Sequence, residues 1–395
     1  MTPRQTLSQY STRATTALLF VVLLLWGPAA SAYVGLCCGK CGGNMPMNIP
    51  GGGVPETWEF RFKVSPMLMH MEGLRDGTDA IDIDSILGMP AAGKYMAAPL
   101  SMDMRMLNLT VGYSFSDDFF AGIMAMWKDN RMDMKFNAAM QTLTGLSGYT
   151  MESDGLADIM LMAKYRLFAN DPLMPTRQAS LFLGLSIPTG SIDERNTTHP
   201  LAMRQTELLP YGMQLGSGTF DPAIGILYQA SRSPWWWGVN AMYTARIEDN
   251  DRGYRLGNET RIDFYSMYQI RYDFLLQAQL NLHHQGRIRG EADEALTGAS
   301  GHAVQGDPTS PYMSPLWDPN NYGGTQAFAT FGVQWQPAPL HVIDAQFSLP
   351  LYRNLNGPQL ETDYRIMLTW FYELPTRRSV RYTGSDAPAP GRLGF

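Results

Sequence analysis

The sequence predicts an all-β protein, an antiparallel transmembrane β-barrel of about twelve strands. Three observations lead to this prediction. Segments of about ten residues alternate between apolar and polar side chains, turns separate the segments, and the connections alternate between short and long. In a membrane barrel, one face of each strand contacts lipid and the other faces the lumen, which produces this period of two.

The alternation is clearest from Asp158 to Phe168. One face of this segment carries Ile159, Leu161, Ala163, Tyr165 and Leu167, and the other carries Met160, Met162, Lys164 and Arg166. A helix would mix the two sets. Because a soluble sheet shows the same alternation, the prediction depends on the whole series of segments.

Eleven further segments share the pattern, and they begin near Trp58, Leu107, Ile123, Ala179, Ile224, Trp237, Ile262, Leu276, Ala327, Ile343 and Ile366. An even number is typical of single-chain bacterial barrels. Short turns such as Ser114–Asp118 and Gln336–Leu340 alternate with long loops, which we assign to Ser65–Leu100, Asp129–Gly155, Thr189–Gly218, Glu248–Glu259, Gly286–Tyr322 and Arg353–Glu361. With both termini in the periplasm, every long loop lies outside the cell.

Aromatic residues cluster beside the short turns, where an interfacial girdle is expected. They are Tyr113, Phe119, Tyr165, Phe168, Trp235, Trp236, Trp237, Tyr272, Phe274 and Trp335. A soluble β-sandwich with a core of aromatic side chains is the alternative interpretation.

The chain divides into four segments. Residues 1–32 resemble a cleaved signal peptide, with Arg4 and Arg13 before an apolar core and Ala30-Ser31-Ala32 at its end. Residues 33–56 are rich in Cys, Gly and Met and are too irregular for a strand, so they either enter the lumen as a plug or lie free in the periplasm. Residues 57–373 form the barrel, and residues 374–395 form a C-terminal tail.

Charge and motifs exclude several classes of function. The formal net charge is −6, which argues against a nucleic-acid partner. The sequence contains no G-x-S-x-G elbow, no H-E-x-x-H and no phosphate loop. We therefore expect no catalytic site and no enzymatic activity.

Alternation also predicts which side chains line the lumen. These are the polar or methionine positions between the lipid-facing ones, namely Arg61, Lys63, Lys128, Met160, Met162, Lys164, Arg166, Asn240, Gln277, Gln279, Asn281 and His283.

Methionine is unusually frequent, with 26 residues, many in M-x-M pairs that place both thioethers on one face of a strand. Met is a flexible filler, so an adaptable apolar lumen is the first interpretation. Soft sulfur ligands also favour Cu(I), and a copper site is the second. Its candidate ligands are Cys37, Cys38, Cys41, Met45, Met47, Met67, Met69, Met102 and Met104. Apart from this copper hypothesis we expect no cofactor.

Several short sequence motifs lie at strand ends in a characteristic order. They are Asp154–Asp158, Ile187–Gly190, Leu215–Thr219, Leu349–Tyr352 and Asn356–Leu360. From about residue 57 to 373, the chain resembles the outer-membrane transporter-like family described as "meta-pathway of phenol degradation" proteins. The resemblance implies a barrel that passes hydrophobic or aromatic small molecules. Pro188 and Pro350 lie within otherwise regular strands, where the missing N–H predicts a bulge or a local loss of pairing.

Together these observations predict a channel or transporter for small aromatic or apolar molecules in the outer membrane of a Gram-negative bacterium. Its expected partners are outer-membrane lipid, lipopolysaccharide and the small-molecule solute, with no nucleic acid. Two alternatives remain open: a barrel that binds a soft metal, and a structural or adhesive barrel without transport.

Overall fold

The computed structural model describes residues 45–52, 56–171, 175–379 and 381–382. The predicted signal peptide, the three cysteines and most of the C-terminal tail lie outside the described residues. All described residues belong to one compact unit. Within them, no helix is both long enough and apolar enough to span a membrane.

Strands dominate the structure. In chain order they are β1 (Glu59–Gly77), β2 (Asp79–Ile81), β3 (Ala97–Ser114), β4 (Phe119–Phe136), β5 (Gly148–Leu156), β6 (Ile159–Ala169), β7 (Arg177–Ile187), β8 (Asp221–Arg232), β9 (Trp235–Thr244), β10 (Tyr254–Arg255), β11 (Glu259–Arg271), β12 (Phe274–Gln285), β13 (Arg289–Gly290), β14 (Gly324–Ala338) and β15 (His341–Pro375). Helices are short: α1 (Ile83–Ile86), α2 (Ala138–Thr144), α3 (Asp293–Leu296) and single 3-10 turns at Pro90–Ala92, Ala202–Arg204, Tyr211–Met213, Pro315–Trp317 and Pro319–Asn321.

The large sheet closes into an antiparallel barrel. From β1 the order runs through β3, β4, β6, β7, β8, β9, β11, β12, β14 and β15, and β15 pairs back with β1. Successive antiparallel steps leave β1 and β14 running in opposite directions. β15 is antiparallel to both of these strands. Its residues up to Leu355 pair with β14 and its residues from Leu355 onward pair with β1, so β15 must reverse direction. The reversal lies beside Gly357, whose φ of 73° is one that glycine adopts easily.

This reversal gives the wall twelve crossings from eleven strands, and the predicted all-β barrel of about twelve strands is confirmed. β2 and β5 lie outside the closed ring: β2 pairs with the far end of β1, and β5 extends the pairing of β4 beyond β6. Their positions make one side of the barrel taller than the other.

Burial is inverted relative to a soluble protein. On β3, Leu107, Leu109 and Val111 are exposed on the outer face, whereas Asn108 and Thr110 face the lumen. The same inversion recurs around the barrel, where apolar side chains are exposed and Asn, Gln and charged side chains are buried inside. Such a surface is stable only when lipid surrounds it.

Two loops that the sequence predicts on the tall side are wrong. Much of Ser65–Leu100 and Asp129–Gly155 is strand, because β1, β3 and β4 have 19, 18 and 18 residues, and β5 has 9. A tilted strand needs only about 9–11 residues to cross a bilayer. Beyond that length the outer face carries exposed charges such as Arg105 and Arg131, so the apolar alternation disappears while the pairing continues.

Two smaller predictions have different outcomes. Trp236 does not belong to the aromatic girdle, because it is 8% exposed and lies in the lumen, while its neighbours Trp235 and Trp237 face outward. Strict alternation of the strand requires this split. At Pro350 the register between β14 and β15 shifts, so the bulge predicted there is confirmed.

The described residues contain two apolar clusters. The luminal cluster lies inside the barrel near the short turns and consists of Met45, Met47, Ile49, Phe120, Met162, Phe182, Leu227, Trp236, Met242, Tyr265, Met267, Leu275, Val342, Met367 and Phe371. The cap lies at the opposite end, where the loops after β7, β9 and β12 fold over the lumen. Its apolar core consists of Ala97, Met102, Met132, Met134, Phe136, Met140, Met151, Leu208, Leu209, Tyr211, Met213, Tyr254, Ile288, Ala292, Ala295, Met313, Leu316 and Trp317.

Candidate functional site

A cavity of about 660 Å³, which we call the chamber, occupies the lumen beside residues 45–52. Strands from most of the ring contribute to its wall, since β1, β3, β4, β6, β11, β12, β14 and β15 each supply lining residues. Pockets that hold small molecules typically have about 300–1,000 Å³, so the chamber has room for one small ligand.

Residues 45–52 form one side of the chamber and are anchored to the barrel wall. Met45, Met47 and Ile49 are no more than 2% exposed and pack into the luminal cluster. Polar side chains of the wall hold the backbone: Lys63 Nζ donates to the Met47 carbonyl at 2.7 Å and Gln334 Nε2 to the Met45 carbonyl at 3.1 Å. Arg261 Nη2 and Lys164 Nζ donate to the carbonyls of Asn48 and Gly51 at 3.2 Å each.

Methionine forms a continuous part of the chamber wall. In the register of β1 and β3, Met67 lies opposite Met106 and Met69 lies opposite Met104. On the neighbouring strands, Met124 pairs with Met160. The nine lining methionines are Met47, Met67, Met69, Met104, Met106, Met124, Met160, Met162 and Met367. Their flexible thioethers give the wall a soft, adaptable surface that also suits contact with aromatic rings.

Cations make up most of the charged lining. The chamber is lined by Arg61, Lys63, Lys128, Arg261 and Arg365, and by a single carboxylate, Glu259. Two of the arginines have carboxylate partners, since Arg61 pairs with Glu373 and Arg261 Nε lies 2.9 Å from Asp263 Oδ2. Glu259 accepts a hydrogen bond from His283 at 2.9 Å, if that ring nitrogen is protonated.

Lys63, Lys128 and Arg365 have no carboxylate within ion-pair distance among the described residues. Lys128 Nζ donates to the Leu215 carbonyl in the cap at 2.9 Å. The Arg365 guanidinium lies 3.9 Å from the centre of the Phe328 ring. The partners of these three cations are thus neutral groups.

The structure brings seven of the twelve predicted lumen residues to the chamber, namely Arg61, Lys63, Lys128, Met160, Met162, Asn281 and His283. The other five are buried outside the chamber lining: Lys164 contacts residues 45–52, Arg166 pairs with Asp118 at 2.7 Å, and Asn240, Gln277 and Gln279 bond to Asp263, Asp344 and Gln346. Their role in passage of a solute stays a prediction.

The proposed copper ligands are distributed over several places. Met67, Met69 and Met104 line the chamber, as does Met47. Met45 is buried in the luminal cluster, and Met102 is buried in the cap. Cys37, Cys38 and Cys41 lie outside the described residues, and the described ones contain no group of three His, Cys, Asp or Glu that could hold a metal ion.

Sequence reasoning missed Arg261 and Arg365. Both follow the same alternation: Arg261 precedes lipid-facing positions on β11, and Arg365 precedes Ile366, which is exposed to lipid. The apolar face alone identifies the last predicted strand, which leaves its inward positions unassigned. Applying the period of two to both faces would have found Arg365.

The cap contains its own buried ionisable residues. Arg204 Nη1 lies 3.0 Å from Glu207 Oε1, and it also donates to the His302 carbonyl at 3.0 Å. Burial raises the pKa of Glu207 above its ordinary value. Burial and the nearby Arg204 charge lower the pKa of His199 to about 4. This imidazole packs edge-on against the Tyr149 ring, with centroids 4.6 Å apart.

Comparison with known proteins agrees with this architecture. Residues 104–305, more than half of the chain, match the family described as "putative MetA-pathway of phenol degradation". No curated protein matches the sequence.

Among solved structures, an outer membrane channel from Pseudomonas putida F1 shares the fold, with 10% identity, a TM-score of 0.51 and coverage of 81% of this chain and 97% of that one. The CymD monoaromatic hydrocarbon channel is a weaker match, with 8% identity, a TM-score of 0.36 and coverage of 88% and 94%.

Proposed function

Because this chain belongs to the phenol-degradation family matched above, we propose that it is an outer-membrane channel for small aromatic or apolar molecules. The observation that supports this most directly is the chamber, a luminal cavity of about 660 Å³ walled by nine methionines. A wall of thioethers accommodates rings of different shape without a fixed hydrogen-bonding pattern, which suits a conduit better than a tight receptor.

The outer face of the barrel differs from the methionine wall of the chamber. There the exposed side chains are the Leu, Ile, Val, Phe and aromatic residues expected against lipid. The proposed surroundings are therefore outer-membrane lipid around this belt and lipopolysaccharide around the charged rim of the tall side, where Arg105 and Arg131 are exposed.

We also infer that residues 45–52 act as a plug. Three fully buried side chains and four donors from the wall hold the segment. Burial of a side chain of this size contributes about 1.5–3 kcal/mol. Passage of a solute therefore requires the segment to move or to leave a path along its side.

Transport can be tested with the full chain reconstituted into liposomes. Benzamide, a neutral aromatic, should enter proteoliposomes faster than protein-free liposomes, and the excess rate should exceed that of an aliphatic polyol of similar size. If no solute of either kind enters faster than in protein-free liposomes, the protein is a structural or adhesive barrel instead.

The paired methionines favour soft-metal binding as a second candidate. Met67, Met69, Met104 and Met106 bring four thioethers to adjacent positions of two strands on the luminal side, and thioethers favour Cu(I). A copper(I) titration tests this, with Met69→Leu and Met104→Leu as the variants. A further variant with Cys37, Cys38 and Cys41 replaced by Ser separates binding by the strands from binding by the cysteines. Absence of Cu(I) binding in the unmodified protein eliminates the candidate.

A further inference from the structure

We infer that the chamber selects anionic aromatic solutes, in particular aromatic carboxylates, through Lys63, Lys128 and Arg365. This inference rests on the proposed channel function and specifies the class of solute. Three features support it: the excess of cations in the lining, the neutral partners of these three cations, and their arrangement along the lumen.

The lining contains more cations than carboxylates. Five Arg and Lys side chains and one Glu line the chamber. Arg61 and Arg261 pair with Glu373 and Asp263, which leaves three cations and Glu259, although the chain as a whole is acidic, with a formal net charge of −6. Charges in a narrow lumen with apolar walls act on a solute with little screening, so this excess attracts anions and repels cations.

The partners of the three cations are replaceable. Lys63 and Lys128 donate to backbone carbonyls of Met47 and Leu215, and Arg365 lies over the Phe328 ring. A carboxylate forms shorter and stronger hydrogen bonds with ammonium and guanidinium groups than a neutral carbonyl does. An anionic solute in the chamber therefore gains charged contacts that the protein itself does not satisfy.

The nearby carboxylates bond to other groups. Glu259 acts on Arg365 only through space and lies 2.9 Å from His283 Nε2. Asp344 and Asp158 likewise interact with Lys63 and Lys128 only through space. The Asp344 carboxylate accepts hydrogen bonds from Gln277, Gln334 and Gln346. Asp158 accepts from the backbone N–H groups of Gly190 and Ser217. Both aspartates are thus held by other donors.

The strand register places the three cations at successive levels of one wall. Lys128 on β4 pairs with Met106 on β3, which pairs with Met67 on β1. Arg365 on β15 is opposite Met69, two residues further along β1, and Lys63 lies four residues before Met67. At about 3.3 Å per residue, the positions of Lys63 and Met69 are roughly 20 Å apart along β1, so the three cations are spread along the wall and are not gathered at one point.

The methionines of the chamber wall favour anions that carry an aromatic ring. Met67, Met69, Met104 and Met106 lie on β1 and β3, between the strand of Arg365 and the strand of Lys128. A ring held by thioethers can direct its carboxylate toward either cation. A small inorganic anion gains only the charge contact, so we expect it to bind more weakly.

Calorimetric titration of the purified full chain with benzoate and with benzamide tests the inference. These ligands have nearly the same shape and differ in charge. We expect benzoate to bind at least about tenfold more tightly than benzamide, because a hydrogen bond to a charged group is worth about that factor or more. Chloride at the same ionic strength should compete only weakly.

Lys63→Met and Arg365→Met should each reduce the ratio of benzoate affinity to benzamide affinity severalfold. Arg232→Met, which removes an exposed charge at a short turn, is the matched control and should retain the full preference. Lys63→Arg should also retain it, which shows that a variant without preference has lost the charge and not the fold.

Equal affinity for benzoate and benzamide, or a full preference in both methionine variants, overturns the inference. That result leaves the proposed channel intact as long as benzamide still enters proteoliposomes. Conversely, failure of both benzamide flux and benzoate flux together with tight benzoate binding would overturn the channel and retain the anion site.

Discussion

The chamber and the cap are both lined by methionine, yet their charges are arranged in opposite ways. In the described part of the cap, Arg204 pairs with Glu207, Arg195 with Glu294, and Arg252 with Asp193. In the chamber, three cations have only neutral partners. Similar apolar side chains therefore surround ion-paired charges in the cap and three cations without a carboxylate partner in the chamber. The difference supports the inference that the chamber accepts a ligand, because the charges of the cap are paired within the protein.

Among the elements of the chamber, we expect substitutions in the plug to have the largest effect. Met47→Ala and Ile49→Ala each remove a fully buried side chain and should cost about 2–5 kcal/mol of local stability. Together they should release residues 45–52 and raise single-channel conductance in planar bilayers. Met89→Ala, at an exposed position, is the control. Unchanged conductance in the double variant would show that the segment does not obstruct the lumen.

The balanced charges of the cap can be unbalanced by one substitution. Glu207→Gln leaves Arg204 buried without its carboxylate, which should destabilise the cap by about 3–5 kcal/mol. Hydrogen exchange of residues 196–213 should become fast while exchange in β6–β9 stays slow. The less deeply buried pair of Arg195 and Glu294 is the comparison, and Arg195→Met should cost less, about 1 kcal/mol. Equal effects of the two substitutions would contradict the assignment of the cap as a packed interior.

His199 should make the stability of the cap depend on pH. Its pKa of about 4 in the folded cap lies below the ordinary value of 6.5, so the unfolded segment binds a proton more readily. Stability is therefore complete above about pH 6.5 and falls as the pH drops toward 4, by on the order of 3 kcal/mol. The raised pKa of Glu207 acts in the opposite direction.

The contribution of His199 can be isolated with His199→Gln. Protection factors of residues 196–213, corrected for intrinsic exchange rates, should decline less between pH 6.5 and 4.5 in this variant than in the parent protein. The same decline in both proteins would assign the pH dependence to another group.

The smallest expected effect concerns the methionine wall. Met104→Leu preserves volume and removes the sulfur at a position that lines the chamber. Because a sulfur–aromatic contact contributes about 0.3–1.5 kcal/mol, benzamide affinity should fall by between about twofold and tenfold. Met203→Leu, exposed in the cap, should have no effect. If Met104→Leu binds benzamide as well as the parent protein does, the wall acts through its shape alone.

The sequence allowed prediction of the membrane-crossing strands because lipid imposes a simple rule on their outer faces. Leu107, Leu109 and Val111 follow that rule, and so the β3 segment was found. The rule does not apply above the membrane, where Arg105 and Arg131 are exposed and the strands nevertheless continue.

The site was less accessible to prediction because its properties depend on distant residues. Alternation indicated that Lys63 and Lys128 face inward, and they line the chamber. It could not indicate that Lys63 donates to Met47 or that Lys128 donates to Leu215, 87 residues further along the chain. Whether a luminal cation has a carboxylate partner is decided by such long-range contacts.

The uneven height of the barrel has a mechanical consequence. Met102, Met132, Met134 and Met151 enter the cap from β3, β4 and β5, which continue the hydrogen-bonded wall. The opposing residues, such as Leu208, Tyr211 and Trp317, come from loops on the low side. One side of the cap is thus continuous with the hydrogen-bonded wall, while the other side consists of loops that pack against it. The cap is therefore held in place by the tall side of the barrel.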